Sequence, residues 1–168
     1  MDTIPNEVTN DLFVRMALEA WNTQIGRFNK FLESTDTQQI SKEIAPGKNT
    51  GTYLLGHLIA VADGMLPMFG LRDKIYPQLQ EPFIVKPDKS GFAFPSYEEL
   101  KEYWNNVINT LDTHFKNMDS KTWLERHTAV SEEDFLKEPH RNKLNVLLNR
   151  TNHQSYHFGQ MILLAVKN

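Results

Sequence analysis

Three histidines are the residues of this chain best placed to do chemistry. His153 and His157 stand four apart in Asn149-Arg150-Thr151-Asn152-His153-Gln154-Ser155-Tyr156-His157-Phe158-Gly159-Gln160. On a helix, that spacing stacks two imidazoles one turn apart on one face, where both can reach a single metal ion. His57 lies far upstream in Leu54-Leu55-Gly56-His57-Leu58-Ile59-Ala60-Val61, amid Tyr53, Leu54, Ala60, Val61 and Gly64 on the apolar side of its segment. It is predicted to point inward. A pair at this spacing arises often by chance, and a lone inward histidine is usually a hydrogen-bonded core residue. Inward histidines from two separate helices change that balance, because burying several imidazoles together is costly unless their polar atoms find partners. The sequence contains no cysteine, so disulfides, thiolate metal sites and a cysteine nucleophile are excluded. Three neutral imidazoles suit zinc, nickel, iron or copper better than magnesium or calcium. Three ligands with an open position are also the pattern of catalytic sites, whereas structural zinc sites are usually closed by four.

The pair sits in a polar sector that interrupts an otherwise apolar face. Asn149, Asn152, Tyr156 and Gln160 share it, with Val146 before them and Leu163 and Leu164 after. Asn149 and Gln160, about one turn to either side, are candidates to orient an imidazole or a bound water. Roughly opposite lie Leu147, Phe158 and Ile162, a second apolar side that predicts a homodimer. Of the remaining histidines, His114 reads as a core-edge residue, and His127 and His140 as surface residues. Asp63 falls off the His57 side and is expected in solvent.

The elements that must carry these residues are helices. Four stretches show helical periodicity and none shows the alternation of a half-buried strand, so the fold is predicted all-α, a four-helix bundle. The first helix spans about Val8 to Glu33, with Phe13, Met16, Ala17, Ala20, Gln24, Phe28 and Phe31 on one side. The second runs from a cap at Asn49/Thr50 to about Phe69. The third opens on the capping box Ser96-Tyr97-Glu98-Glu99 and continues through Leu100, Trp104, Val107, Leu111, His114 and Met118. The fourth spans about Asn142 to Val166. The connection from Gly70 to Pro95 is far longer than bundle loops usually are, which predicts a crossover with helices two and three parallel, and a possible lid. The stretch from Asp119 to Arg141 is predicted to hold a short helix near Ser131 to Phe135.

Composition bounds the partners. A net charge of -3, with no run of basic residues, gives no reason to expect nucleic acid. The apolar run from Tyr53 to Ala62 is about half the ~20 residues of a membrane span, and the N-terminus lacks the features of a secretion signal. A cytoplasmic protein of a single domain, residues 1–168, is the expectation.

Leu54-Leu55-Gly56-His57-Leu58 together with His153-Gln154-Ser155-Tyr156-His157-Phe158-Gly159-Gln160 resembles the DinB/YfiT-like superfamily of metal-binding four-helix bundles, over essentially the whole chain. The resemblance implies an up-down-down-up bundle in which His57, His153 and His157 hold one divalent ion, zinc or nickel. Similar proteins often form dimers, and they include transferases and isomerases that use low-molecular-weight thiols. A metal-dependent transferase acting on a small-molecule substrate with such a thiol is therefore the first expectation. The ion would lower the pKa of an incoming thiol. A metal-dependent hydrolase is the alternative within enzymes, although no inward Asp or Glu stands out as its base. A non-catalytic metal- or ligand-binding protein is the alternative from another class. The chain departs from many relatives at Gln154, where they carry an acidic residue, and at Tyr156, where they carry a histidine.

Overall fold

The computed structural model describes residues 6–165, and among them the chain is helical, with two isolated bridges, Glu43 to Thr50 and Arg126 to Asn142, and no strand. The long helices are α1 (Asn6–Ser34), α3 (Gly51–Asp63), α5 (Tyr97–Phe115) and α8 (Lys143–Met161). Between them lie the short helices α2 (Thr37–Ile40), α4 (Met65–Met68), α6 (Ser120–Leu124) and α7 (Glu132–Lys137). Side chains set most starts by accepting an otherwise unbonded backbone N–H. Thr50 caps α3, Asn142 caps α8 and Ser131 caps α7, while Ser96 and Glu99 form the reciprocal box that opens α5.

The predicted second helix is divided. Pro67 has no N–H to give to the carbonyl four residues earlier, that of Asp63, and the regular helix ends there, with α4 following from Gly64. The last helix ends at Met161 and tightens into a 3-10 turn, Ile162–Ala165, whereas Val166 lies outside the described residues. The short helix expected near Ser131 is α7; α2 and α6 were not anticipated.

Aromatic packing orders the long helices. Phe158, late in α8, meets Phe28 and Phe31, late in α1, at ring distances of 5.7 and 5.8 Å. Leu144 and Leu148, early in α8, share a groove with Phe13 and Ala17, early in α1. These two helices therefore run side by side in one direction. Helix α5 runs against α1: the Tyr97 hydroxyl donates to Leu32 O, Trp104 Nε1 donates to Asn29 Oδ1, and Phe115 at the far end meets Trp21. Helix α3 runs with α5, since Tyr53 near its start contacts Phe94 just ahead of α5, and Phe69 beyond its end contacts Phe115.

Two sequence expectations change with this packing. Leu147 is buried and Phe158 is half-buried against α1, so the second side of the last helix is occupied within the chain; Ile162 alone of that set is exposed. Within α1 the buried stripe is Val14, Ala17, Trp21, Ile25, Phe28, Phe31 and Leu32, rotated from the predicted one in its first half, where Phe13 and Met16 are 57% and 55% exposed. Both patterns fit a helical period, and only the positions of the neighbouring helices decide between them.

The Gly70–Pro95 connection is fastened along α3. Asp63 is fully buried rather than solvated, and its two carboxylate oxygens accept from Ile75 N and Tyr76 N at 2.8 Å each. At the other end Asp88 accepts from the backbone and hydroxyl of Thr50, and the Tyr53 hydroxyl donates to Lys86 O. Asp63→Asn is expected to lower stability by about 1–2 kcal/mol, because its amide can accept only one of the two N–H groups and turns a donor toward the other. Urea unfolding measures this; a midpoint equal to wild type would show that the carboxylate does not hold the connection.

Candidate metal centre

The site is assembled by α3, α8 and one turn of the long connection. Residues Glu81–Val85 form a single π-helical turn that lays the fully buried Phe83 ring across α3. Its close approach depends on Gly56: a Cβ built there would stand 2.5 Å from Phe83 Cδ1 and Cζ and nearer still to Cε1. Glycine in a helix interior is unfavourable by about 1 kcal/mol relative to alanine, so a packing reason of this kind is what its presence next to His57 signals.

That turn directs Phe83 O at His57 Nδ1, 2.8 Å away. A carbonyl can only accept, so Nδ1 of His57 carries the proton and Nε2 presents a lone pair. On α8, His157 Nδ1 lies 2.8 Å from Gln160 Oε1, which fixes the same tautomer there. His153 stands between the two, its Nε2 3.2 Å from the Nε2 of His57 and 3.2 Å from that of His157. The three rings thus turn their Nε2 atoms toward one another, all within 4.8 Å. Among the described residues this is the one cluster of three or more His, Asp or Glu side chains able to share an ion.

The arrangement is a poor one without a cation. His57 and His157 both need a donor at Nε2, and a neutral His153 could offer at most one N–H at that edge. At least one lone pair is left facing another nitrogen. Burial pulls the His57 pKa below the ordinary range, outweighing the hydrogen bond to Phe83 O. His153 is pulled to about 4, first by burial and then by the facing His157 and His57 and by Arg150. Both are neutral near pH 7, the state a metal ligand needs.

Comparison with known protein families matches residues 20–161 to the DinB superfamily. The chain belongs to the DinB superfamily. The match covers the whole of α3, α5 and α8, and therefore all three histidines. A comparison with curated proteins finds no match.

In this DinB-superfamily chain the other sequence candidates divide. Gln160 reaches the centre through His157, whereas Asn149 is exposed and donates one turn back to Asn145 Oδ1 at 3.4 Å. Gly159 is exposed with nothing near its missing Cβ, so it admits no neighbouring helix. His140 is exposed, His114 half-buried, and His127 half-buried rather than at the surface. Three contributors had no signal of their own in the sequence. Phe83 acts through its backbone carbonyl, and no side-chain type announces that. Arg150 and Gln154 carry no pattern that marks them as inward, yet Arg150 is half-buried and Gln154 buried on the core side of α8.

Proposed function

We propose that His57, His153 and His157 hold one divalent ion, zinc or nickel, and that the site serves transfer to or from a small-molecule thiol. The convergence of three Nε2 atoms, two of them stripped of any N–H by acceptors at Nδ1, carries the reading. No thiolate is available from the chain itself, which leaves imidazole as the donor set and any reacting thiol to arrive from outside. An ion held by three side chains supplies a Lewis acid that lowers the pKa of a thiol beside it and polarises an electrophile. The protein's share is to orient. Phe83 O and Gln160 Oε1 keep the His57 and His157 rings turned toward the centre, and Tyr53, lying nearly parallel to His57 with ring centroids 6.4 Å apart, closes one side.

The same reading places the four long helices in an up-down-down-up order within one domain, residues 1–168, supported by the end-to-end aromatic pairings and by the family match. Hydrolysis is less favoured. Asp63, the carboxylate nearest in sequence to His57, is committed to Ile75 N and Tyr76 N, and no carboxylate among the described residues hydrogen-bonds to the three rings. The homodimer is carried no further, because, of Leu147, Phe158 and Ile162, from which it was expected, Leu147 is buried within the chain and Phe158 packs on α1. No described helix is long and apolar enough to cross a membrane.

The test begins with elemental analysis of protein purified without chelator, for which about one zinc or nickel per chain is expected. Metal-loaded protein and a His157→Ala variant are then incubated with a panel of small thiols and a chlorinated aromatic acceptor. Conjugation by the first and not the second is the expected result. Metal content without turnover of any thiol would assign the chain to binding, and turnover of esters alone would assign it to hydrolysis.

A further inference from the structure

His57 and His157 each have an acceptor for the outer ring nitrogen, and His153 has none: its Nδ1 is buried without a partner. His153 lines a small cavity on the core side of α8, together with Arg150 and Gln154 and apolar groups including Trp21, Leu58, Met65 and Trp104. The space amounts to about 10 Å³, which is room for one water molecule. Arg150 Nε and both side-chain polar atoms of Gln154 are also buried and unpartnered, and Gln154 as a whole is only 3% exposed. A glutamine so enclosed, among walls that offer hydrocarbon, is the mark of a polar site built for something small.

We infer that one ordered water occupies this cavity, accepting from His153 Nδ1–H and Arg150 Nε–H and donating to Gln154 Oε1, so that Gln154 is the positioning residue for His153. Three hydrogen bonds is the usual complement of a buried water. The arrangement protonates His153 at Nδ1 and frees Nε2, completing for the third ring what Phe83 O and Gln160 do for the others. Residues 150, 153 and 154 meet on one helix face by their spacing of three and four, so the device needs no other element than α8 and the apolar walls. A carboxylate, with two oxygens, is too large for a cavity with room for one water-sized group. The inference rests on the metal reading above for its functional consequence, and not for the water itself.

Two measurements on the full chain separate the two. In metal-free wild type, the ¹⁵N shifts of His153 are expected to show Nδ1 protonated; a protonated Nε2 overturns the inference, whether or not the protein binds metal. A His153 shift that moves on titration with chloride overturns it in favour of a small anion. Zinc affinity is then compared by chelator competition in wild type, Gln154→Leu and Gln154→Glu. Loss of the acceptor in the leucine variant is expected to weaken zinc binding about 10- to 100-fold, and glutamate, which still accepts, is expected to retain it. Unchanged affinity in Gln154→Leu overturns the inference and leaves the metal reading standing. Absence of zinc binding by wild type removes the metal reading, and the tautomer still decides the water.

Discussion

His153→Ala is expected to weaken zinc binding by two to three orders of magnitude and to bring metal content in purified protein close to zero. His153 is the ring that meets both others, at 3.2 Å on each side, so its removal leaves two ligands on opposite helices with no third between them. Structural zinc sites of four ligands bind with roughly 10–16 kcal/mol, or about 3 kcal/mol for each ligand. At 1.4 kcal/mol per factor of ten, the loss of one ligand is about a hundredfold or more. The variant should still fold, since it removes a nitrogen that faces two lone pairs and disturbs no backbone hydrogen bond. Chelator competition gives the affinity and far-ultraviolet circular dichroism gives the fold. A folded variant binding zinc within about threefold of wild type, under 1 kcal/mol, would refute coordination by this ring.

Gly56→Ala is expected to destabilise the protein by about 3 kcal/mol, at the upper end of the usual range for overpacking. The added methyl meets three atoms of one aromatic ring at or inside 2.5 Å, and Phe83 has no exposed face toward which it can turn. Relief requires the Glu81–Val85 turn to lift from α3. That movement would draw Phe83 O away from His57 Nδ1, so zinc affinity should fall together with stability. Gly159→Ala, on an exposed face of α8 with open space at the Cβ, is the control and should be neutral or slightly stabilising. Urea unfolding and zinc competition on the two variants settle the matter; equal midpoints for both would mean that the Phe83 turn yields at no cost.

The parts of the fold that could be read in advance are those written in local pattern. Thr50, Ser96 with Glu99, Ser131 and Asn142 each mark a helix start by a side chain that reaches its own backbone, and all four caps are in place. The three histidines were visible for a similar reason, because residue type and helical spacing nearly determine where an imidazole points. What could not be read depends on groups distant in the chain. The Phe83 carbonyl has no side-chain signature, Asp63 looks like any polar helix end until Ile75 and Tyr76 return to it, and the rotation of the buried stripe in α1 follows from where α5 and α8 lie. Gln154 is the instructive miss: its type suggests a surface, and only the packed bundle shows it enclosed.

The distance along the chain between the proposed ligands bears on how the site forms during folding. His57 and His153 are 96 residues apart, so bringing α3 and α8 together closes a long loop, which is entropically costly and slow compared with forming either helix. His153 and His157 alone could catch zinc on an isolated helix, but weakly. On the proposed reading the metal would therefore not template the bundle early; it would be captured once α3 and α8 have come together. Its contribution then obeys mass action and rises with free metal, by about 2.7 kcal/mol at a hundredfold excess over Kd. If the proposed ion is bound, a cell short of it would hold a folded but less durable protein, whose lifetime would report the supply of metal.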